Sequence, residues 1–367
     1  MKTRSFLFGT LCSLMLSVCF TACSDDEDGN PNPDIDPVAE SLSFILNEGA
    51  WGANNAEITQ FYVQEDEAYW QPNYYKKMNN AKLGDLANAM VYEDENIYIV
   101  VGGSKYVARL NGTCVEQARH AFDADEGEPR CITVEDGYVY VTQYGGQVSK
   151  LDGQTLNVVA TFKGGDNLEG IVEENGKLYV ANTYKVDGSG KYVYNKEVLV
   201  IDAVTMEQEK VISVVDNPEV ICEIDDKIYV LSKGNYDDVD PTLQVIDTQN
   251  GSAKKITNAS KITKGNNGLI YGVRSAYDEN YNTVNSFLTY NPSTGVVNET
   301  SFLQDAPAAF TTAVIYLLEV DEETGYIYVG TTDYTNNGTM YRFDRDGKLK
   351  DTFDSGGINP KAMIFID

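Results

Sequence analysis

The 367-residue sequence contains one histidine, His120. A single imidazole excludes a multi-histidine metal centre. A Ser-His-Asp arrangement would have to be built around His120, and no serine sits in a nucleophile-elbow pattern. Basic residues are scarce: 28 Lys and Arg stand against 56 Asp and Glu, a net charge of −28. Such a chain is repelled by polyanions, which excludes nucleic acid as a partner. The pairs Gly102-Gly103 and Gly164-Gly165 lack the lysine and helix of a phosphate loop. Beyond the first residues no apolar run is long enough to cross a bilayer. Cysteine is sparse too. Cys12, Cys19 and Cys23 lie at the N-terminus, leaving Cys114, Cys131 and Cys222. Three is an odd number and the spacing fits no zinc pattern, so these read as buried thiols, with a disulfide involving Cys114 as the alternative.

What is present begins with a targeting segment. Lys2 and Arg4 precede an apolar stretch over residues 5–19, too short for a spanning helix. Phe20-Thr21-Ala22-Cys23 resembles a bacterial lipobox. Residues 1–22 then form a lipoprotein signal peptide and Cys23 is the lipidated residue; an ordinary secretory signal cut after Ala22 is the other reading. Acyl chains on Cys23 would make the membrane contact. The acidic residues 24–28 and the Pro/Asp/Asn-rich residues 29–37 cannot pack, so residues 23–40 are read as anchor, acidic export tag and linker. The folded domain is placed at 41–367.

Within it one strand pattern recurs. An apolar-aromatic-apolar core holds Phe44, Tyr98, Tyr140, Tyr179, Tyr229, Tyr271 and Tyr328, at steps of about 40 to 57 residues. Another apolar strand lies upstream of each, and two more follow around an Asp-x-x-Thr-type turn, as at Asp202 and Thr205. Turns such as Asp136-Gly137 and Asn175-Gly176 favour hairpins. Four strands per unit predict an all-β, seven-bladed propeller rather than a solenoid. The chain ends in a lone first-strand pattern (362–367) and begins in a lone second-strand pattern (42–46). Pairing these predicts ring closure within one blade, which hides the open edges.

Function in such a ring sits on loops at the ends of the channel. Two loop families are predicted to open on one face. The inner one carries Asn88, Arg130, Glu169, Glu219, Lys261, Phe310 and Lys361. The outer one carries Trp51, Tyr106, Tyr144, Tyr184, Tyr236, Arg274, Tyr277 and Tyr334. Tyrosine supplies large contact area with little entropy loss, which suits binding; packing between blades is the alternative for each ring. The inner charges are expected to face the channel, because burying them unpaired would be costly. Nothing in the sequence indicates an enzyme, although a carboxylate pair at Glu169 and Glu219 would suit a glycosidase. The cluster Asp237, Asp238 and Asp240 has no calcium-loop signature.

The Pro-Arg-Cys-Ile, Leu-Glu-Gly-Ile and Ile-Tyr-Val segments resemble the YncE-like propeller repeats of bacterial envelope proteins. Together with the lipobox, the acidic tag, the linker and the Tyr-rich ring, the chain is similar to the BtuG-type surface lipoproteins. That resemblance implies no enzymatic activity and no resident cofactor. It implies capture of cobalamin (vitamin B12) or related corrinoids on the outer face of the outer membrane. The partner it implies is a TonB-dependent outer-membrane transporter, to which the vitamin is passed. A propeller binding a glycan or a protein for another uptake system is the alternative. No histidine reaches the presumed face, so binding would use shape and peripheral hydrogen bonds.

Overall fold

The computed structural model describes residues 41–279 and 282–366. The expected signal peptide, Cys23 and linker lie outside the described residues. Seven four-stranded antiparallel sheets form a ring, a seven-bladed β-propeller. Blade 1 is assembled from both chain ends, in the order Pro360–Ile366, Ser41–Asn47, Glu57–Gln64 and Glu67–Gln71. Blades 2 to 7 start with first strands Ala87–Glu93, Pro129–Glu135, Asn167–Glu174, Pro218–Ile224, Lys261–Lys264 and Val314–Val320. At six of the seven junctions the first strands of successive blades pack against one another, so they line the axis of the ring. Among the described residues no helix is long and apolar enough to cross a membrane.

The closing pair is antiparallel, with Leu42 opposite Ile366 and Ile45 opposite Met363. Phe44, Ile45 and Leu46 are fully buried there, and each such side chain contributes about 1.5–3 kcal/mol on burial. All seven repeat aromatics lie on second strands and are buried. Two of them also tie neighbouring blades together: the Tyr98 hydroxyl donates to Gly153 O at 3.1 Å, and that of Tyr140 to Ala203 O at 3.4 Å. The Asp-x-x-Thr turns are held by their own side chains. Asp202 Oδ1 accepts from the Val204 and Thr205 amides at 2.9 and 2.8 Å, the Asx geometry that shapes a turn.

The first and second strands of blades 2 to 5 are joined by two-residue turns, Asp94-Glu95, Asp136-Gly137, Asn175-Gly176 and Asp225-Asp226, with both residues at positive φ. This geometry selects Asn, Asp and Gly, so the face carrying these turns is acidic. The opposite face carries the longer loops. Two short helical pieces interrupt the all-β pattern. The helix Tyr74–Asn79 drives Tyr74 and Tyr75 into the core after blade 1, and the 3-10 turn Ala308–Thr311 buries Phe310 before blade 7. Cys114, Cys131 and Cys222 are all free thiols, and Cys114 is fully buried.

Candidate functional site

On the long-loop face the seven first strands begin, and six of them begin with an irregularity. Register shifts skip Asn88, Arg130, Glu169, Glu219, Tyr316 and Lys361 in blades 2, 3, 4, 5, 7 and 1. A β-bulge leaves a residue out of the ladder and re-aims its side chain. Here it gathers one polar or aromatic group per blade at the channel mouth. Blade 6 reaches the same place without a bulge: Lys261 pairs in regular register with Val273.

The ring residues engage one another. Arg130 Nε donates to Glu169 Oε1 at 3.1 Å and its guanidinium lies 4.6 Å from the Tyr144 ring centre, while the Tyr144 hydroxyl donates to the same carboxylate oxygen. Burial, the largest influence, would lower the Arg130 pKa, but the charge and hydrogen bond of Glu169 together with Tyr144 and Glu48 outweigh it and hold the guanidinium firmly protonated. Burial and Glu169 raise the Tyr144 phenol well above its usual range. Lys233 Nζ meets Glu219 Oε2 at 2.6 Å. Burial raises Glu219, yet Lys233, Lys361 and Lys261 together hold its carboxyl below the ordinary value. Asn88 Nδ2 donates to Glu48 Oε1 at 3.1 Å, and the Tyr316 hydroxyl donates to Glu48 Oε2.

Over blades 3, 4 and 5 this floor gains walls. The second and third strands of blade 4, Lys177–Val186 and Tyr192–Asp202, run on as a long hairpin capped by Asp187, whose Oδ1 accepts from Ser189 and Lys191 amides. Its rings continue those of its neighbours: Tyr144 to Tyr184 is 5.9 Å between centres, Tyr184 to Tyr192 is 5.2 Å and Tyr194 to Tyr236 is 5.7 Å. They enclose a cleft of about 280 Å³ whose lining includes Arg130, Glu169, Thr183, Asn217, Glu219 and Lys233. Thr183 sits where the hairpin register shifts; it is 4% exposed, and its Oγ1 has no hydrogen-bond partner among the described residues. Ion-paired polar groups beneath a wall of amphipathic rings suit a planar ligand with a polar rim.

The sequence-predicted residues divide. Asn88, Arg130, Glu169, Glu219, Lys261 and Lys361 converge on the mouth, and Tyr144, Tyr184 and Tyr236 on the cleft. Three do not reach either. Tyr106 opens the third strand of blade 2, is 3% exposed, donates to Leu83 O and stacks under Arg119 at 3.8 Å. Phe310 is buried against Phe287, Tyr341 and Phe343; the bulged Tyr316 takes the ring position instead. Arg274 turns outward to Glu299, Thr257 and Asn258 O. Trp51 and Tyr277 stand on the same side but are highly exposed, at 85% and 75%, with no ring neighbour among the described residues. Tyr334 is half-exposed and meets Tyr316 edge-on at 6.0 Å. Sequence reasoning missed Glu48, Thr183, Tyr192, Tyr194, Asn217, Lys233 and Tyr316. The sequence Tyr192-Val193-Tyr194, following the Gly-rich tip of an overlong hairpin, was the available signal.

His120 lies on the outer strand of blade 2, edge-on to Phe122 at 4.9 Å. Asp237, Asp238 and Asp240 do not converge: Asn235 binds the Asp237 amide and the Asp238 carboxylate, and Asp240 pairs with Asn258. The opposite mouth holds a larger cavity of about 700 Å³, lined by Tyr92, Thr263, Lys264, Glu319 and Phe365 among others. Burial lifts the Glu319 carboxyl to about 7, against partial compensation from Thr263 and Lys261. That side is framed by tight turns and carboxylates.

No protein-family model and no curated protein matches the chain. Solved structures do. A putative 6-phosphogluconolactonase from Bacteroides uniformis aligns over 89% of this chain and 99% of its own, at 13% identity and TM-score 0.61. The WD40 propeller domain of Doa1 aligns over 81% and 88%, at 13% identity and TM-score 0.55. A streptogramin B lyase aligns over 73% and 82%, at 12% identity and TM-score 0.52. At such identities the likeness establishes the propeller fold. Function lives in sites grafted on a fold, and these neighbours include a putative lactonase, a lyase and a WD40 domain.

Proposed function

We propose that this propeller is a binding protein that captures a corrinoid, cobalamin in the first instance, on its long-loop face. In this reading it works as a lipoprotein anchored through Cys23 at the outer surface of the outer membrane and passes its ligand to a TonB-dependent transporter. The observation that carries the reading is the tyrosine-walled cleft continuous with a polar ring at the channel mouth. A corrinoid is flat and rimmed with amides. Tyr144, Tyr184, Tyr192, Tyr194 and Tyr236, which are edge-on or tilted to one another, would grip its face and edges, and its amides would meet Thr183, Asn217 and the ring charges. The cleft is smaller than the ligand, so the remainder would spread over the channel mouth. His120 is on the outermost strand of blade 2, whereas the ring is built on the first strands, which leaves the cobalt ligands to the vitamin itself. The resemblance of the sequence to the BtuG-type lipoproteins supports the choice of corrinoid over other planar ligands.

Every described strand of the ring lies within residues 41–366, so protein lacking residues 1–35 keeps all of them. Calorimetric titration of that protein with cyanocobalamin is expected to give one-to-one binding, with the visible spectrum of the corrinoid essentially unchanged. Absence of heat and of any thermal shift would remove the corrinoid reading. The highly exposed rings Trp51 and Tyr277 would then direct attention to glycans, tested on a glycan array.

A further inference from the structure

The cations of the channel mouth are not equivalent. Arg130 and Lys233 each hold a carboxylate, Glu169 and Glu219. Lys261 and Lys361 hold none: their amines lie 5.5 and 5.4 Å from the centre of the one Tyr316 ring, with no ion pair or hydrogen bond to another described residue. The Tyr316 hydroxyl is already committed to Glu48. Around the two amines stand Lys233, Glu219 and, deeper, Glu319. Three lysines thus face Glu219, committed to Lys233, Glu48, held by Asn88 and Tyr316, and Glu319, whose burial favours its neutral form. In a chain of net charge −28, this is a local excess of positive charge inside a confined, low-dielectric mouth. Burial, then repulsion from Lys361, brings the Lys261 pKa down to about 8. An anion placed between the amines would relieve that repulsion and receive charge-assisted hydrogen bonds.

We propose that Lys261 and Lys361 form an anion-binding notch that receives the phosphate of a phosphodiester-bearing ligand. This rests on the corrinoid reading above: the ring system would lie on the tyrosine cleft and the phosphate of the nucleotide loop would sit in the notch, with Tyr316 as its floor. Cobinamide, which lacks the nucleotide loop and its phosphate, is the matched control. The notch is a recognition element and takes no part in any covalent step.

The test compares cyanocobalamin with dicyanocobinamide on the parent and on the K261M/K361M variant. Methionine keeps an unbranched apolar stem one atom shorter and removes the charge. A loss of about tenfold or more in cyanocobalamin affinity, with cobinamide affinity changed by less than twofold, is the expected result. Equal losses for both ligands, or no loss for either, would overturn the proposal. Thermal unfolding of the variant should occur at or above the parent temperature, since an unpaired half-buried charge is removed; if the double variant fails to fold, K361M alone is used. If neither corrinoid binds the parent, the corrinoid reading fails, and the notch is judged separately with inorganic phosphate. Reductively 13C-methylated protein should then show saturable shifts of the Lys261 and Lys361 signals with phosphate, and no shift would overturn the notch as well.

Discussion

Arg130 shows how the site is built from single residues. It follows Pro129, which opens a strand where a backbone donor is dispensable, and it falls in a bulge that turns it to the channel. The same Pro-then-charge pattern stands at Pro218-Glu219 and Pro360-Lys361, and this made the ring legible in the sequence. Tyr316 was not legible, because the preceding 3-10 turn displaces the start of blade 7 and the pattern there points to Phe310. Glu319 offers a test at this scale. Its carboxyl is lifted by burial from 4.5 to about 7. The native state therefore binds more protons than the unfolded chain between these values, and stability must fall as pH rises through that window. Glu319→Gln is expected to stabilise the protein by about 2 kcal/mol at pH 8 and by much less at pH 4. Urea unfolding at the two pH values measures this, and an equal change at both would show that the carboxyl titrates normally.

Two elements do more than fill the ring. The long hairpin of blade 4 contributes Thr183, Tyr184, Tyr192 and Tyr194, four groups of the cleft, and its tip is stiffened by Asp187. Strand counting could find the hairpin but not its height, because periodicity reports which face a residue takes and not where a pair of strands rises above its neighbours. Tyr192→Ala with Tyr194→Ala is expected to weaken corrinoid binding by about tenfold while leaving the thermal unfolding temperature within a few degrees, since Tyr192 is 56% exposed. The other element is the strand Pro360–Ile366, which closes the ring. Both ends of the sequence carry half-blade patterns, so closure is legible in the sequence. Ending the chain at residue 359 strips the partner from Ser41–Asn47 and exposes Phe44, Ile45 and Leu46. Such protein should lose cooperative unfolding and aggregate, as read by circular dichroism and size-exclusion chromatography; a monomer with a parental melting curve would contradict this.

The molecule as a whole is polarised along its axis. One mouth is framed by two-residue turns rich in Asp and Glu, and the other by long loops, tyrosines and unpaired lysines. Net charge read from composition predicts solubility and repulsion of polyanions, yet it hides this asymmetry, which emerges only when the blades place Lys233, Lys261 and Lys361 side by side. The repeat made the architecture legible because each blade repeats the same packing problem. The cleft was less legible because it is formed where blades 3, 4 and 5 differ from the repeat. The central claim is that the long-loop face, at this cleft, is where ligand binds. The most direct test is the cyanocobalamin dissociation constant of the Tyr184→Ala/Tyr236→Ala variant beside Glu322→Ala, which alters the opposite mouth. The account predicts a loss of about tenfold to a hundredfold for the tyrosine pair and parental affinity for Glu322→Ala. Parental affinity for the tyrosine pair, or a comparable loss for Glu322→Ala, would place the ligand elsewhere.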